Sequence, residues 1–277
     1  MHRSFGVLTV FLLLLISIFS IVNFFKYRGN EQSTDDILSS KVYQSESNKQ
    51  LRKLALFSAE HDRKLLIEAS KNSDSSAFYK KVKVEAHCEE KVRIGEDGDG
   101  GKYVCNPKKA KDDCTLLSLG LNNQIEFDRH IYEATGRKCK ILGADLDAQL
   151  PKTQESYHKM DGDLYAGRIP EDLTIPEILG KSGRREVEMM KIDIESGEFL
   201  AVEPLIKDYF VCQIFIEIHG SPSRHLHMLQ ILAKHGFRIF NVDENLLCPL
   251  CCEYSLINEL CMVQYGVVPL ASVIPLE

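Results

Sequence analysis

The most apolar segment of the chain lies at its start. Residues 5–25 read FGVLTVFLLLLISIFSIVNFF and contain no charged side chain. A helix of this length rises far enough to cross the roughly 30 Å hydrocarbon layer of a bilayer. A cleavable signal peptide usually has a shorter apolar core followed by small residues. The pattern therefore favours a transmembrane signal anchor after a short tail, residues 1–4, with a cleaved signal peptide and a secreted domain as the alternative.

Polar residues and then a helical pattern follow this apolar segment. Residues 26–50 are rich in Ser, Gln, Asn and charge, which is typical of a linker. In residues 51–70, Leu and Ile recur at helical spacing among charged side chains, which predicts a pair of amphipathic helices. We therefore assign residues 26–80 to a stem and residues 81–277 to the folded domain.

From about Lys81, short β-rich runs alternate with helical stretches, as in a parallel α/β sheet. The predicted strands are residues 114–119, 139–144, 163–166, 187–193, 212–219 and 237–242. Helices are predicted from about residue 124, near 175–179, over 198–205 and over 224–236. The run INELCMVQYGVV near the C-terminus predicts a last strand at the sheet edge.

Composition and charge narrow the class of protein. The 277 residues are 44% hydrophobic and 27% charged, which is ordinary for a globular protein. The formal net charge is −6 and the basic residues are scattered, so nucleic acid is not an expected partner. No feature of the chain sets its oligomeric state.

The cysteine content points to an oxidising compartment, where such residues pair. The nine cysteines are Cys88, Cys105, Cys114, Cys139, Cys212, Cys248, Cys251, Cys252 and Cys261. We predict one disulfide between Cys88 and Cys105 and another within residues 248–261, although connectivity cannot be read from spacing alone. The sequence Cys248-Pro-Leu-Cys251 could instead bind zinc or act as a redox pair, but no second C-x-x-C accompanies it.

The charges that flank residues 5–25 are nearly balanced, with Arg3 on one side and Lys26 and Arg28 on the other. The cysteines decide the expected orientation. We predict a single-pass type II membrane protein with its domain in the lumen of the ER or Golgi.

Candidate cofactor residues follow the first two predicted strands. Gly120, in the run SLGLNNQIEFD, allows the backbone to approach a ligand closely, and Asn122 and Asn123 stand where they could cap the next helix. Asp145 and Asp147 follow the next strand, 25 and 27 residues after this glycine, where a carboxylate can accept hydrogen bonds from ribose hydroxyls. Loop or capping aspartates are the structural alternative.

Candidate catalytic residues follow the later strands. Asp193 ends the strand before the run IESGE, and Glu195 follows it, whereas Glu198 fits better as an acid in the first turn of a helix. Glu217 and His219 alternate with apolar residues, so they share one strand face, where the His can serve as a general base with its tautomer set by the Glu. A partly buried, satisfied pair is the alternative.

The runs SLGLNNQIEFD, ADLD, MKIDIESGE and IEIHGSP, in this order and spacing, resemble the FkbM-domain methyltransferases that use S-adenosylmethionine (SAM). With RIGEDGDGGKYVC before them, they are most similar to an animal branch in which a membrane anchor precedes the domain. The resemblance covers about residues 88–268. It implies a Rossmann-like class I sheet of seven strands, mostly parallel with an antiparallel last strand.

The resemblance also implies roles for individual residues. Gly120 would lie under the methionine part of SAM, Asp145 on its ribose, and Asp193 and Glu195 beside the transferred methyl group. An acid near the adenine is implied within MDGDLYAG, where Asp163 is the candidate. The implied reaction is methylation of a hydroxyl oxygen, which needs no metal. A small molecule or glycan is the expected acceptor in a secretory compartment.

Three other hypotheses remain open at this stage. The D-x-D patterns at residues 97–99, 145–147 and 161–163 could hold a metal for a type II glycosyltransferase. The domain could also be a non-catalytic binding module with a degenerate methyltransferase fold. The run GEDGDGG could bind calcium, but it lacks the regular ligand spacing of an EF-hand, which favours a hairpin turn.

Overall fold

A seven-stranded sheet forms the centre of the protein in the computed structural model, which describes residues 45–97 and 100–276. The strands of this sheet are β4 (Thr115–Leu119), β5 (Lys140–Asp145), β6 (Asp163–Ala166), β7 (Glu186–Ile192), β8 (Phe210–His219), β9 (Phe237–Glu244) and β10 (Cys251–Asn258). Their spatial order is β6-β5-β4-β7-β8-β10-β9. From β6 to β8 all neighbours are parallel, and β10 is antiparallel to both of its neighbours. The predicted seven-stranded sheet with an antiparallel last strand is confirmed.

Two features of the C-terminal region differ from the prediction. The antiparallel strand lies inside the sheet between β8 and β9 rather than at an edge. The run INELCMVQYGVV contributes only the last two residues of β10 and then turns through a short helix into β11 (Val267–Pro269). The prediction of an edge strand was wrong because residues 251–257, which the sheet buries on both faces, form the strand instead.

Helices cover both faces of the sheet. They are α1 (Glu46–Ser70), α2 (Ser75–Tyr79), α3 (Glu126–Ala134), α4 (Pro151–Lys159), α5 (Ile175–Ser182), α6 (Glu198–Asp208), α7 (Pro222–Lys234) and α8 (Met262–Tyr265). Successive strand side chains point to opposite faces. Accordingly, Leu116 packs into one apolar core with Phe127 of α3, and Leu117 into the other with Val202 of α6. Both faces of β4 and β7 are buried, as expected for central parallel strands.

The N-terminal helical region consists of one long helix and one short helix. The predicted pair within residues 51–70 is a single helix, α1, because no Gly or Pro interrupts its pattern. Its Leu66 is fully buried in the core with Phe78 of α2, whereas Phe57 is 91% exposed. The membrane-spanning helix predicted for residues 5–25 lies outside the described residues. None of the helices within the described ranges is long and apolar enough to cross a bilayer.

Four disulfides connect the described elements. They are Cys88–Cys105, Cys114–Cys139, Cys212–Cys261 and Cys248–Cys251. The first and the last confirm the two predicted bridges, and the last shows a disulfide where zinc binding was the alternative. The Cys88–Cys105 bridge ties β1 (Ala86–Cys88) to the hairpin of β2 (Lys91–Ile94) and β3 (Lys102–Cys105). The antiparallel pairing of β2 with β3 confirms the predicted hairpin, and Gly98 and Asp99 of the run GEDGDGG lie outside the described residues.

The ninth cysteine gives a test of this pairing. Cys252 is unpaired and buried, so we expect the native, unreduced protein to resist alkylation. After unfolding without reductant, one thiol should react, and after reduction all nine cysteines of the sequence should react. Intact-mass analysis after each treatment measures these counts. More than one reactive thiol in the unfolded, unreduced chain would contradict the four bridges.

Candidate active site

A cavity of about 740 Å³ opens at the carboxyl ends of β4, β5, β6 and β7. Gly120, Asp145, Gly167 and Asp193, each at the end of one of these strands, line it. Its volume is within the range of about 300–1,000 Å³ that is usual for ligand sites. The cavity lies at the edge of the sheet where an open α/β fold binds ligands, as the sequence predicts.

Gly120 shapes the floor of this cavity. Its φ is +77°, and a Cβ on this residue would overlap the carbonyl oxygen of Asp193. The strand ends are held together here, since the Asp193 amide donates to Leu119 O at 3.1 Å and the Gly120 amide to Ala144 O at 2.9 Å. No larger residue fits this turn, and its bare backbone faces the cavity.

Asp145 connects the second strand end to the glycine turn. Its Oδ2 accepts a hydrogen bond from the Asn122 amide at 2.6 Å. Its Oδ1 has only a 3.5 Å contact with the Asp147 amide, so this oxygen can still accept hydrogen bonds from a ligand. Asn122 and Asp147 also line the cavity. The predicted cofactor residues at the first two strand ends therefore lie together.

Two of the predicted cofactor residues do not line the cavity. Asn123 does not cap its own helix, because its Oδ1 accepts from the Leu150 amide at 2.8 Å and so caps the start of α4. Asp163 is the first residue of β6, so it lies toward the amino ends of the parallel strands rather than the carboxyl ends. Its Oδ1 lies 3.2 Å from Lys140 Nζ. Asp161 faces the same lysine at 3.8 Å, so this D-x-D pattern is paired with a cation of the chain.

His219 lies behind the cavity wall among three carboxylates. Its Nε2 is 3.7 Å from Asp193 Oδ1 and 3.7 Å from Glu195 Oε2, and both of these acids line the cavity. Its Nδ1 is 3.2 Å from Oε1 of Glu198, a residue that is fully buried. Burial would lower the pKa of His219, but Glu198, Asp193 and Glu217 outweigh it and raise the pKa to about 9.

This arrangement corrects the predicted roles of His219 and Glu198. With a pKa of about 9, the imidazole is protonated at neutral pH and cannot accept a proton there. Glu198 orients the ring in place of Glu217, which faces other groups. Glu198 does begin a helix, α6, as predicted, but its carboxylate is aimed at His219 rather than at solvent.

Glu217 belongs to a buried ion cluster. Lys102 Nζ of β3 lies 2.5 Å from Glu253 Oε1 and 3.8 Å from Glu217 Oε2, with its side chain only 1% exposed. Glu217 and Glu253 are directly opposite each other on β8 and β10. Burial raises the pKa of Glu217 to about 7 and the charge of Asp193 adds to the rise, whereas Lys102 and a hydrogen bond from Asn245 oppose it.

Sequence reasoning missed two buried lysines. Lys191 interrupts the apolar strand β7 and donates from Nζ to Gly120 O at 3.0 Å, behind the glycine turn. A lysine within an otherwise apolar strand is the signal that could have revealed it. Lys102 had no such signal, because only the tertiary fold brings β3 against β8 and β10. The glycine loop before Lys102 does reach the cavity, at Gly100.

The cavity fits an adenosyl cofactor on these observations. Gly120 leaves room for a ligand to approach the backbone closely, and Asp145 keeps an oxygen available for ribose hydroxyls. Asp193 offers a carboxylate for the positively charged sulfonium of such a cofactor. At the rim, Glu195 and Ser196 have φ values of +52° and +77°, which non-glycine residues rarely adopt. Such strain often occurs at functional sites.

Comparisons with known proteins identify the family of this domain. Residues 59–239 match the family described as the methyltransferase FkbM domain. No curated protein sequence matches the chain. A SAM-dependent methyltransferase from Aquifex aeolicus is 14% identical, with a TM-score of 0.35 over 55% of this chain and 90% of that one.

Two further solved structures that contain the cofactor or its product are similar at the same low level. Aeropyrum pernix fibrillarin with bound S-adenosyl-L-methionine is 14% identical, with a TM-score of 0.39 over 62% of this chain and 84% of that one. TrmK of M. capricolum with S-adenosyl-homocysteine is 12% identical, with a TM-score of 0.36 over 55% and 65% of the two chains.

The buried ion cluster predicts a large effect for one substitution. Lys102→Met leaves Glu217 and Glu253 facing each other without a cation, and we expect it to cost about 3–5 kcal/mol of stability. Lys111→Met, which removes an exposed lysine 3.8 Å from Glu186, should cost at most about 1 kcal/mol. Chemical denaturation measures both. Adding Glu217→Gln and Glu253→Gln to Lys102→Met should recover stability. If Lys102→Met and Lys111→Met lowered stability equally, the buried ion cluster would not be the cause of the loss.

Proposed function

Because this chain belongs to the FkbM family of methyltransferase domains, whose cofactor is S-adenosyl-L-methionine, we propose that it methylates a hydroxyl oxygen of a small molecule or glycan. The observation that carries the proposal is the continuity of the cavity. Its glycine turn and Asp145 line the same space as Asp193 and Glu195, with Asp193 directly against the turn and His219 behind these two acids. A cofactor and an acceptor can therefore meet within one site.

The chain's residues have mainly to bind and align the reactants. When bound, the cofactor supplies a methyl group on a positively charged sulfonium, which is already an activated leaving group. The Gly120 backbone and the Asp145 carboxylate are suited to hold its amino-acid and ribose parts. Holding the acceptor oxygen in line with the methyl group removes most of the entropic barrier.

The proton of the acceptor hydroxyl needs a carboxylate to receive it. Asp193 lines the cavity directly against the glycine turn, with His219 protonated beside it. We therefore assign the proton acceptor to Asp193. His219 takes a positioning role, in which its charge holds the surrounding carboxylates in place.

The disulfides support a place for this reaction in the secretory pathway. Four bridges within one domain are typical of an oxidising compartment. We propose a type II orientation in which residues 5–25 anchor the chain and the domain faces the ER or Golgi lumen, as in the membrane-anchored animal branch that the sequence resembles.

Cofactor binding is tested by calorimetry with SAM and S-adenosylhomocysteine on the full-length chain in the presence of a chelator. We expect Asp145→Ala to weaken binding at least tenfold, about 1.4 kcal/mol, because it removes a ribose contact and the support of the glycine turn. Asp163→Ala is the matched control. It removes a carboxylate near the amino ends of the parallel strands, away from the cavity, and should leave binding unchanged. Equal affinities of the two variants would contradict the assignment of Asp145.

Turnover is tested by transfer of tritiated methyl groups from SAM to glycan and small-molecule hydroxyl acceptors. We expect Asp193→Asn to lower kcat by a factor of about 100 while changing cofactor affinity little, because the amide cannot accept the acceptor's proton. Calorimetry on the same variant provides the comparison. Cofactor binding without transfer to any acceptor would favour the non-catalytic binding module.

A further inference from the structure

We propose that Asp193, Glu195 and His219 form a binding site for one divalent cation, Mn²⁺ or Mg²⁺, at the wall of the cavity. One ligand atom from each residue lies within 4.8 Å of the other two. Two carboxylates and one imidazole are a donor set suited to a divalent first-row ion. Asp193 and Glu195 come from the end of β7, and His219 comes from the end of β8.

The spacing of the donor atoms supports a shared ion. His219 Nε2 is 3.7 Å from Asp193 Oδ1 and 3.7 Å from Glu195 Oε2. These distances are too long for hydrogen bonds, which need about 2.7–3.2 Å between nitrogen and oxygen. An ion about 2.0–2.2 Å from each donor holds the donors roughly 3–4 Å apart. The gap between the three side chains therefore has the size of a cation site.

Glu198 supplies a second and independent observation. Its carboxylate is fully buried against His219, with Oε1 3.2 Å from Nδ1, and its Oε2 has no hydrogen-bond partner among the described residues. A histidine that binds a metal usually donates its other N–H to a carboxylate, which fixes the ring and its tautomer. Glu198 directs Nε2 toward Asp193 and Glu195 in this way. A cation would replace the proton on Nε2.

Local charge also favours a cation. Five carboxylates meet here, at residues 193, 195, 198, 217 and 253, and within residues 45–97 and 100–276 the permanent cations among them are Lys102 and Lys191. Buried carboxylates without enough positive charge are costly, and a divalent ion offsets the excess. The other possible donor group, Glu217, His219 and Cys251, is weaker because Cys251 is in a disulfide and has no thiolate.

The proposed ion gives the site a way to select its acceptor, and this step rests on the proposed function. Three protein donors leave coordination positions open, which an acceptor with two neighbouring oxygens can fill. The ion lowers the pKa of the bound hydroxyl, so that its proton passes more readily to the Asp193 carboxylate oxygen that does not bind the ion. The oxygen then bonds to the methyl carbon while the carbon–sulfur bond breaks and its electron pair remains on sulfur. The preferred substrates are therefore vicinal diols, catechols or hydroxy acids.

Electron paramagnetic resonance tests the site directly, because Mn²⁺ loses its sharp solution spectrum when it binds. We expect the full-length, chelator-treated chain to bind one Mn²⁺, and Glu195→Gln to weaken binding at least tenfold. Glu195 is exposed, so folding does not depend on it. His219→Asn should have the same effect. Glu171→Gln, which changes another carboxylate of the cavity rim, should leave Mn²⁺ binding unchanged.

The outcomes separate this proposal from the proposed function. No Mn²⁺ binding up to ~1 mM, the weak end for extracellular cation sites, or binding that Glu195→Gln and His219→Asn leave intact, would overturn the cation site. S-adenosylhomocysteine binding is measured on the same samples. A chain that binds the cofactor but not Mn²⁺ would overturn the cation site and leave the methyltransferase proposal standing. A chain that binds Mn²⁺ but not the cofactor would support the cation site and contradict the methyltransferase proposal. We expect Asp145→Ala to lose the cofactor and keep Mn²⁺.

Discussion

The close approach of two strand ends, at Gly120 and Asp193, is the constraint on which the site depends. The carbonyl oxygen of Asp193 occupies the space that any side chain on Gly120 would need. This contact exists because β4 and β7 are neighbours in the sheet although β5 and β6 lie between them along the chain. The strand order reverses at this point, and the crevice formed there is where open α/β sheets bind ligands. The glycine turn and Asp193 thus border the same cavity from adjacent strands.

Buried charge organises the wall behind Asp193. Lys102 reaches Glu217 and Glu253 from the β2–β3 hairpin, which a disulfide ties to β1. Removing these groups from water is costly, and their pairing recovers that cost only while all three side chains stay in place. The hairpin therefore does more than cover the sheet, because it supplies the cation that allows two carboxylates to face each other across β8 and β10.

The same negative environment determines what His219 can do. Glu198 and Asp193 raise its pKa, so the ring acts as a cation that holds carboxylates or, once it loses its proton, as a ligand beside them. Neither role is that of the general base that the alternation of Glu217 and His219 along β8 predicted. Both residues do share a strand face, but the partner of the imidazole comes from α6.

The sequence by itself predicted the class of fold, most strand positions, one disulfide and the region of a second, and the position of the glycine turn. These follow from local patterns: apolar runs of strand length, a glycine or an acid directly after them, and cysteines in a chain with an apolar start. Only the tertiary structure decided that Asp163 lies near the amino ends of the strands, away from the cavity, and that Asn123 caps α4. The tertiary structure also placed β10 inside the sheet and brought Lys102 and Glu198 to the site. The physical reason is that each of these depends on contacts between residues distant in sequence. Periodicity shows which face of an element is buried, but not which side chain of another element lies against it.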